Sequence, residues 1–328
     1  MRRKRILLAC LIALGLSPGL FWRDKPVRDF TLPVEIVALE QFAARVGPFE
    51  VEKLWQVRSE NDLVGGYSAL MLDGGDRLVA ASDAGRLLVL TRDGDELSDP
   101  VPRKFVNALD LDKLSVDIES MTRDPVSGHF WVAYENTNTI QRYSRFHRLE
   151  AEATPAAMRD WNDNTGPESM ARLADGRFIV IAEGGYGLFG GPGSPGVLFS
   201  GDPTEAKSTA IAFTFAGLEG YSPVDLAIMP DGRALVLMRS VTLSYPPRFG
   251  TAIMLADPAQ IRAGGEWQGE LLAEFAAPLP SDNFEGLAVE ENADGSLALW
   301  LVSDDNFAHY QRSLILKLRW QAWQKARR

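Results

Sequence analysis

The chain has 328 residues, 46% of them hydrophobic and 24% charged, with 29 Gly and 19 Pro, the profile of one large folded body with a substantial core. Its formal net charge of −10 argues against a nucleic-acid-binding surface, which needs a basic stripe, and leaves room for bound cations. A single cysteine, Cys10, lies near the N-terminus, so residues 24–328 can hold no disulfide, thiolate metal site or cysteine nucleophile.

Residues 1–23 form a separate object. Arg2, Arg3, Lys4 and Arg5 precede an uncharged apolar run from Ile6 to Trp22, the basic-then-hydrophobic order of an export leader. No A-x-A cleavage site follows, and 17 apolar residues sit at the lower limit for a spanning segment, so removal as a signal peptide and retention as a membrane anchor both remain open. Cys10, in Leu-Leu-Ala-Cys, faintly suggests a lipoprotein site, but too few apolar residues precede it. The expected location is the periplasm or the outside of the cell, with any membrane association confined to residues 6–22. Residues 24–328 are then one domain, expected to be monomeric.

Five copies of one phrase follow, each a short apolar strand with Ser, Asp or Glu near its start, a turn, and a second apolar run ending in a charge. They are GYSALMLDGGDRLVAASD, DIESMTRDPVSGHFWVAYE, GPESMARLADGRFIVIAE, PVDLAIMPDGRALVLMR and NFEGLAVEENADGSLALWLVSD. Aligned on their first polar residues, Ser68, Glu119, Glu168, Asp225 and Glu285, they recur at spacings of 51, 49, 57 and 60 residues. Each spacing holds about four short strands and their turns, which is one blade of a β-propeller. The fold class is therefore all-β, a propeller of five blades. The last unit lacks a fourth strand, and Phe49–Arg58 (FEVEKLWQVR) is placed to supply it and close the ring. A degenerate sixth blade around Val34 to Gln41 is the alternative.

In a propeller the first strand of each blade lines the axis, so Ser68, Glu119, Glu168, Asp225 and Glu285 are expected to form a ring. Carboxylates converging there repel one another and either gain protons or hold a cation. Calcium, which accepts six to eight oxygens with loose geometry, suits such a set. Zinc and copper do not, because His129, His147 and His309 have no ligand spacing. Two plainer readings stand beside it: the acids hydrogen-bond to backbone N–H groups of neighbouring blades, or a metal merely staples the blades.

Second strands run antiparallel to first strands, so their ends share this rim. There the sequence places Asp83, Glu135, Glu183, Arg239 and Asp304, and near the starts of third strands Arg86, Arg142, Arg248 and Arg312. Glu135, Glu183 and Asp304 are candidate proton-transfer groups. The five arginines are candidate holders of a small phosphorylated substrate, although charged strand ends are also ordinary solvated rim. No G-x-S-x-G elbow is present, and GGYGLFGGPGSPG, from Gly184 to Gly196, lacks the Lys-Ser/Thr of a phosphate loop and reads as a rim loop.

The stretches SDNFEGLAVE, LWLVSDDNF, QRSLILKL, DIESMT, GPESMARLADGRFIVIAEG and DLAIMPDGRALVLMR resemble the bacterial phytase-like family, labelled as having esterase-like activity, from about Gly66 to Trp320. The strand-start phrases are also similar, more weakly, to calcium-activated nucleotidases of the apyrase type, whose tunnel ligands are Ser and Glu. These resemblances imply a calcium-dependent phosphoester or ester hydrolase; the alternative is a non-catalytic envelope binder with a structural ion. The chain departs from a fully acidic ring in having Ser68, which is uncharged, and Asp225, which is shorter than Glu.

Overall fold

The computed structural model describes residues 29–40, 44–105, 116–161, 166–184, 193–242, 244, 247–277, 279, 282–308 and 311–324. The leader, His309 and residues 185–192 of the Gly-rich segment lie outside the described residues. No helix among the described residues is long and apolar enough to cross a membrane.

The described strands group into five antiparallel sheets, four of them with four strands and the last with six. After β1 (Glu35–Ala38), the short β2 (Arg45–Val46) and β3 (Phe49–Arg58), the first sheet is β4 (Tyr67–Leu72), β5 (Arg77–Ser82), β6 (Arg86–Asp93) and β7 (Glu96–Lys104). The second is β8 (Ile118–Arg123), β9 (Phe130–Tyr134), β10 (Thr139–Tyr143) and β11 (Leu149–Ala153). The third is β12 (Ser169–Arg172), β13 (Phe178–Ile181), β14 (Ser194–Phe199) and β15 (Ala210–Ala216). The fourth is β16 (Ser222–Ile228), β17 (Ala234–Thr242), β18 (Arg248–Ala256) and β19 (Glu266–Glu274), and its outer strand pairs in parallel with β15. The last is β20 (Phe284–Glu291), β21 (Leu297–Ser303) and β22 (Ser313–Trp320), completed by β3, which pairs antiparallel with β22. The first strands touch in cyclic order, β4 to β8, β12, β16, β20 and back to β4, which makes the fold a β-propeller.

Strand periodicity explains why this ring forms. Successive side chains point to opposite faces, so a strand that is apolar throughout must be covered on both. Leu78 and Ala80 of β5 pack with Trp55, Trp300 and Ile315, whereas Val79 and Ala81 pack with Phe130, Val132 and Tyr134 of the next sheet. The remaining junctions repeat the device: Val180 and Phe178 meet Trp131, Ile179 and Ile181 meet Val236 and Met238, and Leu235 and Leu237 meet Leu299 and Leu301. At the closing junction Trp55 and Trp300 stack 6.0 Å apart.

The segment considered for a sixth blade does not build a sheet of its own. Its strand β1 pairs with β3 as the outer edge of the last sheet.

Candidate functional site

What aims side chains at the axis is an irregularity repeated in the first strands. Their ladders skip one residue between Tyr67 and Ala69, Ile118 and Ser120, Pro223 and Asp225, and Phe284 and Gly286. A bulge leaves its extra residue out of the ladder and turns its side chain aside. The residues left out are Ser68, Glu119, Val224 and Glu285. Glu168 directly precedes Ser169, the first residue of β12, and so occupies the corresponding place.

Asp225 therefore does not join the ring; the position expected for it belongs to Val224. Asp225 sits one residue later, fully buried, and its carboxylate accepts the N–H of Leu226 at 2.8 Å and that of Leu287 in the next sheet at 2.6 Å. It is a latch from β16 to β20, the plainer of the readings given above for acidic blade starts. Other sheets use neutral latches: the Ser68 hydroxyl donates to the Ile118 carbonyl, and Ser120 donates to Pro167 O at 2.8 Å. Asp225→Ala would strand two buried N–H donors, at a cost of about 1–3 kcal/mol each. Chemical denaturation should read a loss of stability of roughly 2–6 kcal/mol with no loss of bound ion; a change under 1 kcal/mol would rule out the latch.

Glu119, Glu168 and Glu285 are 9%, 7% and 8% exposed, and near enough to perturb one another. Burial, followed by the charges of Glu168, Asp117, Glu285 and Glu135, pushes the Glu119 carboxyl well above the usual range. Glu168 rises through burial and Glu183, against the opposing pull of Arg239. Glu135, half-buried, is pushed up to about 7 by burial and Asp117, although the Gly166 N–H favours its ionised form. That approach requires glycine, since a Cβ on residue 166 would lie 2.7 Å from Glu135 Cα. Burial and the Glu285 charge push Asp304 up to about 9.

The carboxylates divide into two groups. On one side Asp117, Glu119 and Glu135 offer oxygens all within 4.8 Å of one another, a spacing that a metal ion could bridge. Asn136 Nδ2 donates to Asp117 Oδ2 at 2.5 Å and holds that side chain in place. On the other side stands Arg239, 17% exposed. It ion-pairs with Glu285 through Nη1 and with Glu183 through Nη2 at 2.5 Å. Asn283 Nδ2 donates to Glu285 Oε1 at 2.8 Å and reaches Asp304 Oδ2 at 3.5 Å. Burial works against the Arg239 charge, but Glu285, Glu183 and Glu168 hold its pKa above the ordinary value.

The other arginines are dispersed. Arg86 opens β6 with its guanidinium 5.2 Å from the centre of the Phe307 ring, and Arg312 pairs with Asp282 at 3.0 Å; both line a cleft of about 330 Å³ on this face. Arg248 opens β18 opposite Thr242 in an exposed position. Arg142 is not on this rim. The turn after β9 delays β10 to Thr139, so Arg142 falls near the far end of that strand and pairs with Asp202 at 2.7 Å and with Glu150. Two further residues belong to the site, Asp117 and Asn283. The first had a usable signal, because Asp117-Ile118-Glu119 sets two acids two residues apart at a strand start.

A family model described as "Phytase-like: Esterase-like activity of phytase" matches residues 62–307. A search of curated proteins returned no match. Among solved structures, hydrazine synthase of Kuenenia stuttgartiensis is 12% identical with a TM-score of 0.39, covering 74% of this chain. The chain spans 58% of the length of that protein. A protein of Lactobacillus plantarum is 12% identical with a TM-score of 0.37, covering 80% of this chain and 74% of its own.

Proposed function

The chain belongs to the phytase-like family, and from that premise we propose that it is a metal-dependent phosphoester or ester hydrolase acting outside the cytoplasm, with calcium as its ion. The observation that carries this reading is the meeting of half-buried Asp117 and Glu135 with buried Glu119, their oxygens all within 4.8 Å of one another. Their donor set fits a hard cation: all oxygen, no nitrogen or sulfur. Asp117, Glu119 and Glu135 would hold the ion, which when bound supplies Lewis-acid polarisation of an ester or phosphoryl oxygen.

The remaining groups fall into complementary roles. Glu183 is 24% exposed and oriented by Arg239, which suits it to accept the proton of an attacking water. Asp304, at about 9, keeps its proton at neutral pH and can donate it to a leaving oxygen. Arg239 spends its fork on Glu183 and Glu285, so it positions these acids, and reception of an anionic group falls to the cleft bearing Arg86 and Arg312. The same pairing of Arg239 favours the second reading, a non-catalytic binder in which the ion is structural.

The purified chain should hydrolyse at least one phosphomonoester, nucleotide, phytate or simple ester, lose this activity in EDTA and regain it with calcium. Its rate should rise with pH through about 7, as Glu135 loses its proton and the ligand set fills, and fall through about 9, as Asp304 loses its own. The first limb should move to lower pH with added calcium and the second should not. Activity indifferent to EDTA overturns the metal role, and no turnover of any of these substrates leaves the binder.

A further inference from the structure

The first strands that set the acids at one mouth of the axis end at a second mouth. Along β8, Arg123 stands four residues beyond Glu119, about 13 Å away. Around that end lies a cavity of about 690 Å³ to which all five first strands contribute, with Leu72, Met121, Ala171, Ile228 and Val289 among its walls. Its size falls inside the range of ligand pockets, roughly 300–1,000 Å³. Two guanidiniums edge it, Arg123 and Arg172, whose side chains are 17% and 21% exposed. Arg123 passes between two turns where glycines make room: a Cβ on Gly74 would lie 3.3 Å from its Nη2, and one on Gly128 3.2 Å. Its Nε is buried without a hydrogen-bond partner, and Asp73 Oδ1 comes no closer to it than 3.5 Å. Arg172 Nη2 is 3.6 Å from Asp124 Oδ2, and its Nη1 donates to Leu173 O at 3.3 Å. Both acids therefore stand beyond the roughly 2.7–3.2 Å of a good N–H···O bond.

We propose that this second mouth binds a small organic anion with an apolar body, of the monocarboxylate class, its acid group received by Arg123 and Arg172 and its chain lying along the apolar walls. The acids around the mouth are already engaged. Asp73 pairs with Arg77 at 3.2 Å, and Asp231 with Arg233 at 2.8 Å. Asp124 accepts the Val126 N–H at 3.0 Å and the Ser127 hydroxyl at 2.7 Å. Glu290 accepts Trp300 Nε1–H at 2.9 Å and pairs with Arg92. Glu291 is exposed at the end of β20, which neighbours β4 and β16 in the ring, so it stands across the mouth from both arginines. The hydrogen-bonding capacity left over beside Arg123 and Arg172 is that of donors, and the ligand supplies the acceptor. A carboxylate matches a guanidinium in both shape and charge. The body follows from Met121, Ile228 and Val289, which present only apolar surface to it. This assignment stands whether the acidic mouth is hydrolytic or only binds.

The test is calorimetric titration of the purified chain with octanoate, octanol and acetate, probes that remove the charge and the tail in turn. EDTA is present throughout, so that no ion at the acidic mouth can recruit the carboxylate. Octanoate should bind at one per chain, at least tenfold more tightly than either octanol or acetate. Arg172→Gln should bring octanoate down to the level of octanol. Ala174→Trp, at an exposed position on the cavity edge, should narrow the entrance and weaken octanoate at least tenfold with the melting temperature unchanged. That variant keeps both guanidiniums, so its result stands even where Arg172→Gln does not fold. Octanol or acetate bound as tightly as octanoate, an octanoate affinity unchanged in either folded variant, or no saturable binding of octanoate would each overturn the assignment.

Discussion

Glu119→Gln is expected to abolish divalent-ion binding and, at the same time, to raise the melting temperature of the metal-free protein. The two effects have one origin. Glu119 is the buried member of the group with Asp117 and Glu135, and its carboxyl is held far above its ordinary pKa by burial and by the acids around it. A folded-state pKa above the unfolded one means that the native form holds the extra proton. Stability is then fully present below the ordinary carboxylate value and is lost as pH rises toward the raised one. Gln keeps the shape and removes the charge, so the variant should gain on the parent progressively as pH rises and match it in acid. Adding calcium should reverse the order, because an ion present at a hundred times its dissociation constant stabilises by about 2.7 kcal/mol only a chain that can bind it. Calorimetry with and without calcium, beside equilibrium dialysis, reads both effects. Stoichiometric ion retained by the variant would sink the assignment of Glu119 as a ligand.

Arg239→Met is expected to cost roughly 3–5 kcal/mol at neutral pH, the usual consequence of removing one partner from a buried ion pair. Met fills a similar volume but leaves Glu183 and Glu285 facing each other and Glu168 without compensation. The loss should shrink as the pH falls and these acids take up protons. Divalent ions should also recover part of it, with a higher bound stoichiometry than in the parent, since the guanidinium is the internal cation of that half of the axis. A deficit that stays constant from acid to alkaline pH would mean that Arg239 matters through packing instead of charge.

The architecture was legible because it is written in periodicity. The repeated phrase marks each first and second strand, and the incomplete last unit points to Phe49–Arg58 as the closing strand. The site was legible only to within a residue. An alignment on the first polar side chain has no access to which residue a bulge expels, so Asp225 was placed in the ring where Val224 stands. Arg142 was placed on the rim because the length of the turn before Thr139, which sets the start of β10, cannot be read from charge pattern. The pairing of Arg239 with two acids was not legible at all. It depends on the convergence of three strand ends far apart in sequence, β13, β17 and β20.

The closing strand also dictates an order of assembly. Arg319 and Glu52, which meet across the β22–β3 junction, are 267 positions apart, so one half of this seam is made long before the other. Until the final strand arrives, β3 has no inner partner and the stacked Trp55 has no Trp300 to cover it. A ring with this connectivity cannot close before β22 has been made. Its slow step is the union of distant chain segments, so the interval in which β3 waits for its partner is when shielding by chaperones matters most.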